Sequence, residues 1–251
     1  MRPQPLIDSA TVPNRTTTRA VKLARMNDSS DLQLERLVLE TGEDPEHAVI
    51  WLHGLGADGH DFEPIVPQLN CAARRPVRFI FPHAPQRPVT INGGMAMRAW
   101  YDILGVDIDR NQDMDGIRAS LRQVDALVDE QVAAGIPSGN LVLAGFSQGG
   151  AIALRCGLAR NEPLAGVVGL STYLLGAEQL TEWMSAQAPS MPVFMGHGSQ
   201  DPIVPVELGQ AGARRLAAAG LEVAWQTWPM PHAVCAEEVQ AIDQWLSERL
   251  Q

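Results

Sequence analysis

The chain has 251 residues, a mass of 27.2 kDa and a hydrophobic fraction of 45 %, which suits one large α/β domain or two small ones. No apolar run approaches the ~20 residues of a membrane-spanning helix, so the composition excludes an integral membrane protein, a coiled coil and a disordered chain. The net charge of −10 is uneven: residues 1–25 hold five basic residues and one acidic residue, and the acidic remainder disfavours nucleic acid as a partner.

Residues 1–29 are predicted to be a disordered N-terminal extension. They lack hydrophobic periodicity and hold no apolar stretch of the length that a secretory signal needs. Their basic, hydroxyl-rich composition also fits a transit peptide, and Met26 is an alternative start. From Leu32 onward, recurring leucines predict an early strand or hairpin, and we place a single domain at 30–251.

Short continuous apolar runs predict the remaining strands, because parallel strands buried on both faces have this pattern. The runs are 47–52, 78–81, 140–144, 164–170, 192–195 and 221–228. Helices are predicted between them at 113–135, 150–159, 207–219 and 237–250. This alternation predicts an α/β fold with a mostly parallel central sheet and helices on both faces.

The segment around Trp100 and Leu104 shows neither a helical nor a strand period. It follows a stretch rich in glycine and methionine, INGGMAM, and a long irregular segment in a compact domain is often a lid or a binding loop. Methionine and aromatic side chains there could line a groove for an acyl chain, with Trp100 and Leu104 as substrate-binding candidates. The alternative is that these side chains fill the core.

Several kinds of chemistry are excluded by what the chain lacks. Lys22 is the only lysine, so there is no phosphate-binding G-x-x-x-x-G-K loop and a Ser-Lys dyad would have to use the extension. The three cysteines form no C-x-x-C pair, which argues against a disulfide framework or a zinc site and favours a reducing, cytoplasmic location.

No metal is predicted either. H-E-x-x-H is absent, and the carboxylates Asp107, Asp109, Asp113 and Asp115 lack the glycine and the terminal glutamate of a calcium loop. They are predicted to be a solvated turn and the acidic start of a helix.

The strongest catalytic signal is Gly145-Phe146-Ser147-Gln148-Gly149, a G-x-S-x-G sequence. It lies directly between a predicted strand and a predicted helix, which is the setting of a nucleophile elbow. The glycines allow a strained turn and a closely packed helix, and the helix N-terminus favours negative charge. The sequence therefore predicts Ser147 as a nucleophile.

A serine hydroxyl needs a base, and the chain order serine, acid, histidine of this setting limits the choice. Only His197 and His232 follow Ser147, and His197 leaves about fifty residues for an acid between them. His232, after the last predicted strand, is therefore the predicted base. Asp201, in a loop after a strand, is the predicted acid that orients it; the alternative for Asp201 is a simple Asp-Pro turn.

Acyl transfer also needs backbone N–H groups directed at the developing oxyanion. One predicted donor is the N–H of Gln148, and the other is the N–H of Leu55 in the loop after strand 47–52, with His53 supporting this loop. The same loop matches the dinucleotide fingerprint G-x-G-x-x-G at 54–59. Dinucleotide binding is disfavoured because two prolines follow the glycines and because strand 78–81 ends without the acidic residue that would bind the ribose.

The sequence resembles the carboxylesterase/acyl-protein thioesterase (phospholipase/carboxylesterase) family of α/β-hydrolases. The matching segments run in family order from about residue 32 to 245; they are HGLGADGHDF, FPHAPQRPVTINGG, WYDI, DMDGI, GFSQGGAIAL, LSTYL, HGSQDPIVP and PMPHAVCAEE. Arg98-Ala99 stands before Trp100 where the family usually has a proline, and Ala233 follows His232 where a serine is usual.

The resemblance implies an α/β-hydrolase fold and a serine esterase without a cofactor, with Ser147, Asp201 and His232 as its triad and Leu55 and Gln148 as oxyanion donors. It also implies that Leu174 lines the acyl site. The expected substrates are short- to medium-chain carboxylic esters; the alternative is a thioesterase or lysophospholipase acting on long acyl chains. A homodimer stays open, and a hydrolase fold kept as a binding module is the rival from another class.

Overall fold

The central strands are buried on both faces, as their continuous apolar sequences predict. In the computed structural model, which describes residues 32–105 and 112–251, every residue of strand 47–52 is buried. Alternate side chains of this strand belong to two separate hydrophobic cores, one on each side of the sheet.

The elements alternate along the chain. The strands of the described residues are β1 (Arg36–Glu40), β2 (His47–Leu52), β3 (Val77–Pro82), β4 (Gln86–Val89), β5 (Met95–Arg98), β6 (Leu141–Phe146), β7 (Gly166–Leu170), β8 (Val193–Gly198) and β9 (Val223–Trp228). The helices are α1 (Asn70–Arg74), α2 (Met114–Ala133), α3 (Gln148–Ala159), α4 (Leu180–Trp183), α5 (Val206–Ala218) and α6 (Ala236–Arg249).

Seven strands form one sheet in the order β1-β3-β2-β6-β7-β8-β9. The edge strand β1 is antiparallel to β3, and every other neighbouring pair is parallel. The carboxyl ends of the parallel strands therefore meet at one edge, where the loops after β2, β6, β8 and β9 lie side by side.

Helices cover both faces of the sheet, which confirms the predicted α/β fold. Ile117 of α2, Leu154 of α3 and Leu216 of α5 belong to the core on one face. Val239 and Ile242 of α6 belong to the core on the other face. Burial of these apolar stripes is the main favourable contribution to folding, at about 25 cal/mol per Å².

The predicted strands and long helices are confirmed, with differences at their ends. The leucine-rich start forms a single strand that pairs with β3, so the hairpin alternative is wrong. Strand β8 runs on through His197 to Gly198, since its backbone keeps pairing with β9 where the apolar run has ended. Helix α3 begins at Gln148, directly after the serine turn.

Residues 100–104 lie outside every helix and strand, as predicted, but the stretch INGGMAM before them belongs to an antiparallel hairpin of β4 and β5 that the sequence pattern does not predict. Gly93 and Gly94 adopt positive φ angles of 67° and 78° in its turn, a conformation that glycine allows without strain. The two strands have four residues each and are mostly exposed or half-buried, so their sequences carry no alternating pattern.

The predicted extension 1–29 and the carboxylates Asp107 and Asp109 lie outside the described residues. The domain boundary at residue 30 therefore stays a prediction. Among residues 32–105 and 112–251, no helix is both long and apolar enough to cross a bilayer.

Candidate active site

Ser147 lies in the sharp turn between β6 and α3, where the sequence places the elbow. Its backbone has φ 54° and ψ −120°, which is strained for a residue with a side chain. The Ser147 N–H donates to the Leu170 carbonyl at 2.8 Å, and the Thr172 hydroxyl donates to the Ser147 carbonyl at 2.7 Å. These two bonds hold the strained turn in place.

The two glycines of the motif are required by close backbone approach. A Cβ on Gly145 would lie 2.4 Å from the Gly149 carbonyl oxygen. A Cβ on Gly149 would lie 2.4 Å from the carbonyl oxygen of His53 in the loop after β2. Any side chain at either position would therefore push α3 away from the sheet and from this loop.

The structure brings the predicted nucleophile, base and acid together from three different loops. His232 Nε2 lies 2.9 Å from Ser147 Oγ, and His232 Nδ1 lies 2.6 Å from Asp201 Oδ2. The Phe146 ring packs against the imidazole with its centroid 4.7 Å away. This relay can take a proton from the hydroxyl at Nε2 while the carboxylate holds the opposite nitrogen.

The Asp201 side chain is fully buried but well partnered. Its Oδ1 accepts the N–H groups of Ile203 at 2.8 Å and Val204 at 2.9 Å. Burial alone would raise the pKa of this carboxyl, but the hydrogen bond and charge of His232 and the two backbone donors outweigh it and lower the pKa below its ordinary value. The group is therefore a carboxylate at neutral pH.

The two predicted oxyanion donors belong to segments next to the serine: Gln148 follows it in the chain, and a Cβ on Gly54, the neighbour of Leu55, would lie 3.5 Å from Ser147 Cβ. Gln148 is the first residue of α3, where backbone N–H groups have no partner within the helix. Leu55 lies in the loop after β2, and within the described part of the chain no acceptor is bonded to its N–H. The next residue, Gly56, donates its N–H to the Arg98 carbonyl of β5 at 2.8 Å. The loop is thus tied to the hairpin.

His53 supports this loop, as predicted, and takes no part in the relay. Its Nδ1–H donates to the Gly54 carbonyl at 2.7 Å, and its Nε2 accepts the N–H of Ala84 at 3.0 Å. Burial lowers the pKa of the imidazole to about 4. The ring is therefore neutral, with both nitrogens in use.

The three predicted substrate-binding residues differ in exposure. Trp100 has 0 % exposed surface, and its indole Nε1–H donates to the carbonyl of His53 in the loop after β2. This burial favours the alternative in which such side chains fill the core, and a part of Trp100 in substrate binding stays a prediction. Leu104 is 37 % exposed and Leu174 is 4 % exposed, and their part in binding stays a prediction.

A second histidine, His197, lies behind the acid. Its Nε2–H donates to the Val204 carbonyl at 2.9 Å and lies 3.5 Å from Asp201 Oδ2. Burial lowers the pKa of this imidazole, so the contact with Asp201 is not an ion pair. From the sequence, His197 is a candidate only for the base; its position four residues before Asp201 is the signal that indicates a supporting role.

The rival sites find little support in the structure. After the glycines at 54–59 the chain forms short 3-10 turns, Gly59–Asp61 and Glu63–Gln68, in place of the α-helix whose N-terminus would bind a pyrophosphate. Asp113 caps α2 by accepting the N–H of Gly116 at 2.9 Å, and Asp115 lies in the first turn of that helix. No group of three metal-ligating side chains occurs among the described residues.

Comparison with known proteins points to a single family. The family described as Phospholipase/Carboxylesterase matches residues 34–250. Acyl-protein thioesterase 1 of Gibberella zeae is 38 % identical over 223 residues, which cover 85 % of this chain and 95 % of that protein. A probable carboxylesterase of Oryza sativa subsp. japonica is 36 % identical over 205 residues, covering 80 % and 77 %. The crystal structure of Arabidopsis thaliana SOBER1 has a TM-score of 0.77 and 30 % identity, covering 82 % of this chain and 99 % of that one.

Proposed function

The chain belongs to the phospholipase/carboxylesterase family of α/β-hydrolases, and on that premise we propose that it hydrolyses acyl esters with Ser147 as nucleophile, His232 as base and Asp201 as the orienting acid. The observation that carries the proposal is the unbroken relay of 2.9 Å and 2.6 Å from the Ser147 hydroxyl through the imidazole to the carboxylate. A serine without such a base is a weak nucleophile.

In the first half of the reaction, Ser147 Oγ attacks the acyl carbon and its proton moves to His232 Nε2. The carbonyl oxygen becomes an oxyanion, which accepts hydrogen bonds from the backbone N–H groups of Leu55 and Gln148. When the tetrahedral intermediate collapses, the bond to the leaving oxygen or sulfur breaks. The imidazolium protonates that atom, and the acyl group stays on Ser147.

In the second half, water attacks the acyl-enzyme and His232 takes its proton. The same two N–H groups stabilise the second oxyanion. Its collapse breaks the bond to Ser147 Oγ, which recovers its proton from His232, and the carboxylic acid leaves. These steps use only the chain's own groups and water, and the buried carboxylate of Asp201 stabilises the imidazolium in both halves.

For the substrate, we propose short- to medium-chain carboxylic esters, with small acyl molecules as the partners. A second candidate is a long-chain acyl thioester on a protein, or a lysolipid. The similarity to proteins named acyl-protein thioesterase 1 favours this second class, and the similarity to a probable carboxylesterase favours the first. A cytoplasmic location and a homodimer stay predictions from the sequence.

The test is hydrolysis of nitrophenyl esters from acetyl to palmitoyl, alongside thioesters of the same chain lengths, with Ser147→Ala as the control. We expect turnover by the wild-type protein and a loss of at least ~10³-fold in kcat in the variant. A maximum at short esters supports a carboxylesterase, and a maximum at long thioesters supports the second candidate. A folded wild-type protein that hydrolyses none of them would overturn the proposal and leave the binding module.

A further inference from the structure

We infer that Trp100 and the side chain of Gln148 form a buried clamp that sets the separation of the two oxyanion donors. The clamp consists of the Trp100 indole, the Trp100 backbone N–H and the Gln148 carboxamide. This inference rests on the proposed function, since it assigns to both residues the positioning of the N–H groups that the hydrolysis would use.

Trp100 connects the two sides of the oxyanion site. Its indole Nε1–H donates to the His53 carbonyl at 2.9 Å, in the loop that carries Leu55. Its backbone N–H donates to Gln148 Oε1 at 2.8 Å, at the start of α3. Trp100, which is fully buried, therefore bonds through its ring to the loop of Leu55 and through its backbone to the side chain of Gln148.

The Gln148 carboxamide uses both of its ends. While Oε1 accepts from Trp100, Nε2 donates to the Tyr101 carbonyl at 2.8 Å. Neither function can be reversed, because an N–H needs an acceptor and a carbonyl needs a donor, so the orientation of the amide is fixed by its partners. Gln148 is 2 % exposed, and both polar ends of its side chain are used in this buried contact.

The clamp is also hydrogen-bonded to helix α2. The Ser120 hydroxyl of α2 donates to the Trp100 carbonyl. On the far side of Leu55, Gly56 is bonded to Arg98, two residues before Trp100. Leu55 is therefore flanked on both sides by hydrogen bonds to the same short segment.

These contacts matter for catalysis because the two donors come from different strands. The loop after β2 and the start of α3 approach so closely that only glycine fits at 149, but close packing alone does not fix where an N–H points. An oxyanion site works through donors that are oriented before the reaction. Misplacement of a catalytic group by about 1 Å lowers rates by up to ~100-fold.

The test uses Trp100→Phe, which removes the indole N–H and keeps an aromatic ring, and Gln148→Met, which keeps the backbone donor and removes the carboxamide. Trp51→Phe is the matched control, because Trp51 is also buried and its Nε1 has no hydrogen-bond partner among the described residues. Measured are kcat, KM, melting temperature and the inhibition constant of an acyl trifluoromethyl ketone, whose serine adduct carries an oxyanion.

We expect each clamp variant to lower kcat about 10-fold with KM changed less than ~2-fold, and to weaken the ketone by the same factor. Trp51→Phe should change neither. Clamp variants that hydrolyse and bind the ketone like the wild type would overturn the inference while the proposed function stands. So would a fall in melting temperature without any change in ketone binding. A folded wild type that neither hydrolyses esters nor binds the ketone would overturn the proposed function, and the inference with it.

Discussion

Two regions near the end of β8 each bury a carboxyl group, and the two groups differ in their hydrogen-bond partners. Asp201, in the loop after the strand, accepts hydrogen bonds from His232 and from two backbone N–H groups. Glu238, in the first turn of α6, occupies the space beside Gly196, and neither of its oxygens has a hydrogen-bond partner within the described part of the chain. Both side chains are fully buried.

The consequence is that burial alone does not decide the charge of a carboxyl group. The partners of Asp201 lower its pKa in spite of its burial, whereas burial without partners raises the pKa of Glu238 to about 8. Asp201 is ionised at neutral pH and Glu238 is mostly protonated. The first group is therefore suited to orient an imidazolium, whereas the raised pKa of the second makes the stability of the fold depend on pH.

The largest effect is expected for Asp201→Asn. The amide has nearly the same shape and can still accept from Ile203 and Val204. However, its NH₂ facing His232 Nδ1 would favour the tautomer that carries its proton on Nε2, which cannot take a proton from Ser147. We expect kcat for a nitrophenyl ester to fall by ~10³–10⁴-fold with little change in KM.

The melting temperature and the circular dichroism of this variant serve as its controls. If Asp201→Asn keeps the wild-type fold and more than a tenth of its activity, the two carboxyl groups do not differ in the way described. Asp201 would then be an Asp-Pro turn residue, and another group would have to orient the base.

Glu238→Gln should change stability and leave kcat unaltered. The unfolded glutamate ionises near 4.5 and the folded one near 8, so the wild-type protein loses stability as pH rises between these values. The glutamine cannot ionise. We therefore expect the unfolding free energy of the variant minus that of the wild type to increase by about 2–4 kcal/mol from pH 5 to pH 8, at ~1.4 kcal/mol per pKa unit.

Urea unfolding at pH 5, 6, 7 and 8 measures this difference. Parallel stability curves for the two proteins would mean that Glu238 is ionised in the fold, and the contrast with Asp201 would disappear. Lower kcat in the variant would instead connect Glu238 to the catalytic residues.

The turn that carries Ser147 is predictable from the sequence because its determinants are local. Gly145 and Gly149 mark a turn in which backbone oxygens leave no room for a Cβ, and the buried runs on either side identify a strand and a helix. Chain order then limits the base to residues after Ser147. The sheet is predictable for a related reason, since a strand buried on both faces needs an unbroken apolar run.

The arrangement of the loop after β2 against the start of α3 is less predictable. It depends on hydrogen bonds between side chains and backbone groups that are far apart in sequence. Trp100 reaches His53 and Gln148, which are 47 and 48 residues away in sequence. Nothing local distinguishes such a tryptophan from one that lines a groove. The hairpin of β4 and β5 escapes prediction as well, since short exposed strands have no periodic pattern.

The smallest effect is expected at His197, which contacts the acid without belonging to the relay. His197→Leu removes the N–H that holds the Val204 carbonyl, and Val204 in turn donates to Asp201. One neutral hydrogen bond contributes about 1 kcal/mol, so kcat should fall about 3–10-fold with KM unchanged. His197→Gln is the matched variant, because its side-chain NH₂ can reach the same carbonyl.

Recovery of kcat in His197→Gln distinguishes positioning from simple packing, since leucine and glutamine have similar size and only glutamine donates. If both variants lose activity equally, the imidazole ring itself is needed, for example for its contact with Trp225 at 5.9 Å between ring centroids. If neither loses activity, the backbone donors of Ile203 and Val204 hold Asp201 without help. The lowered pKa of Asp201, in contrast to the raised pKa of Glu238, would then depend only on the groups that bond directly to Asp201.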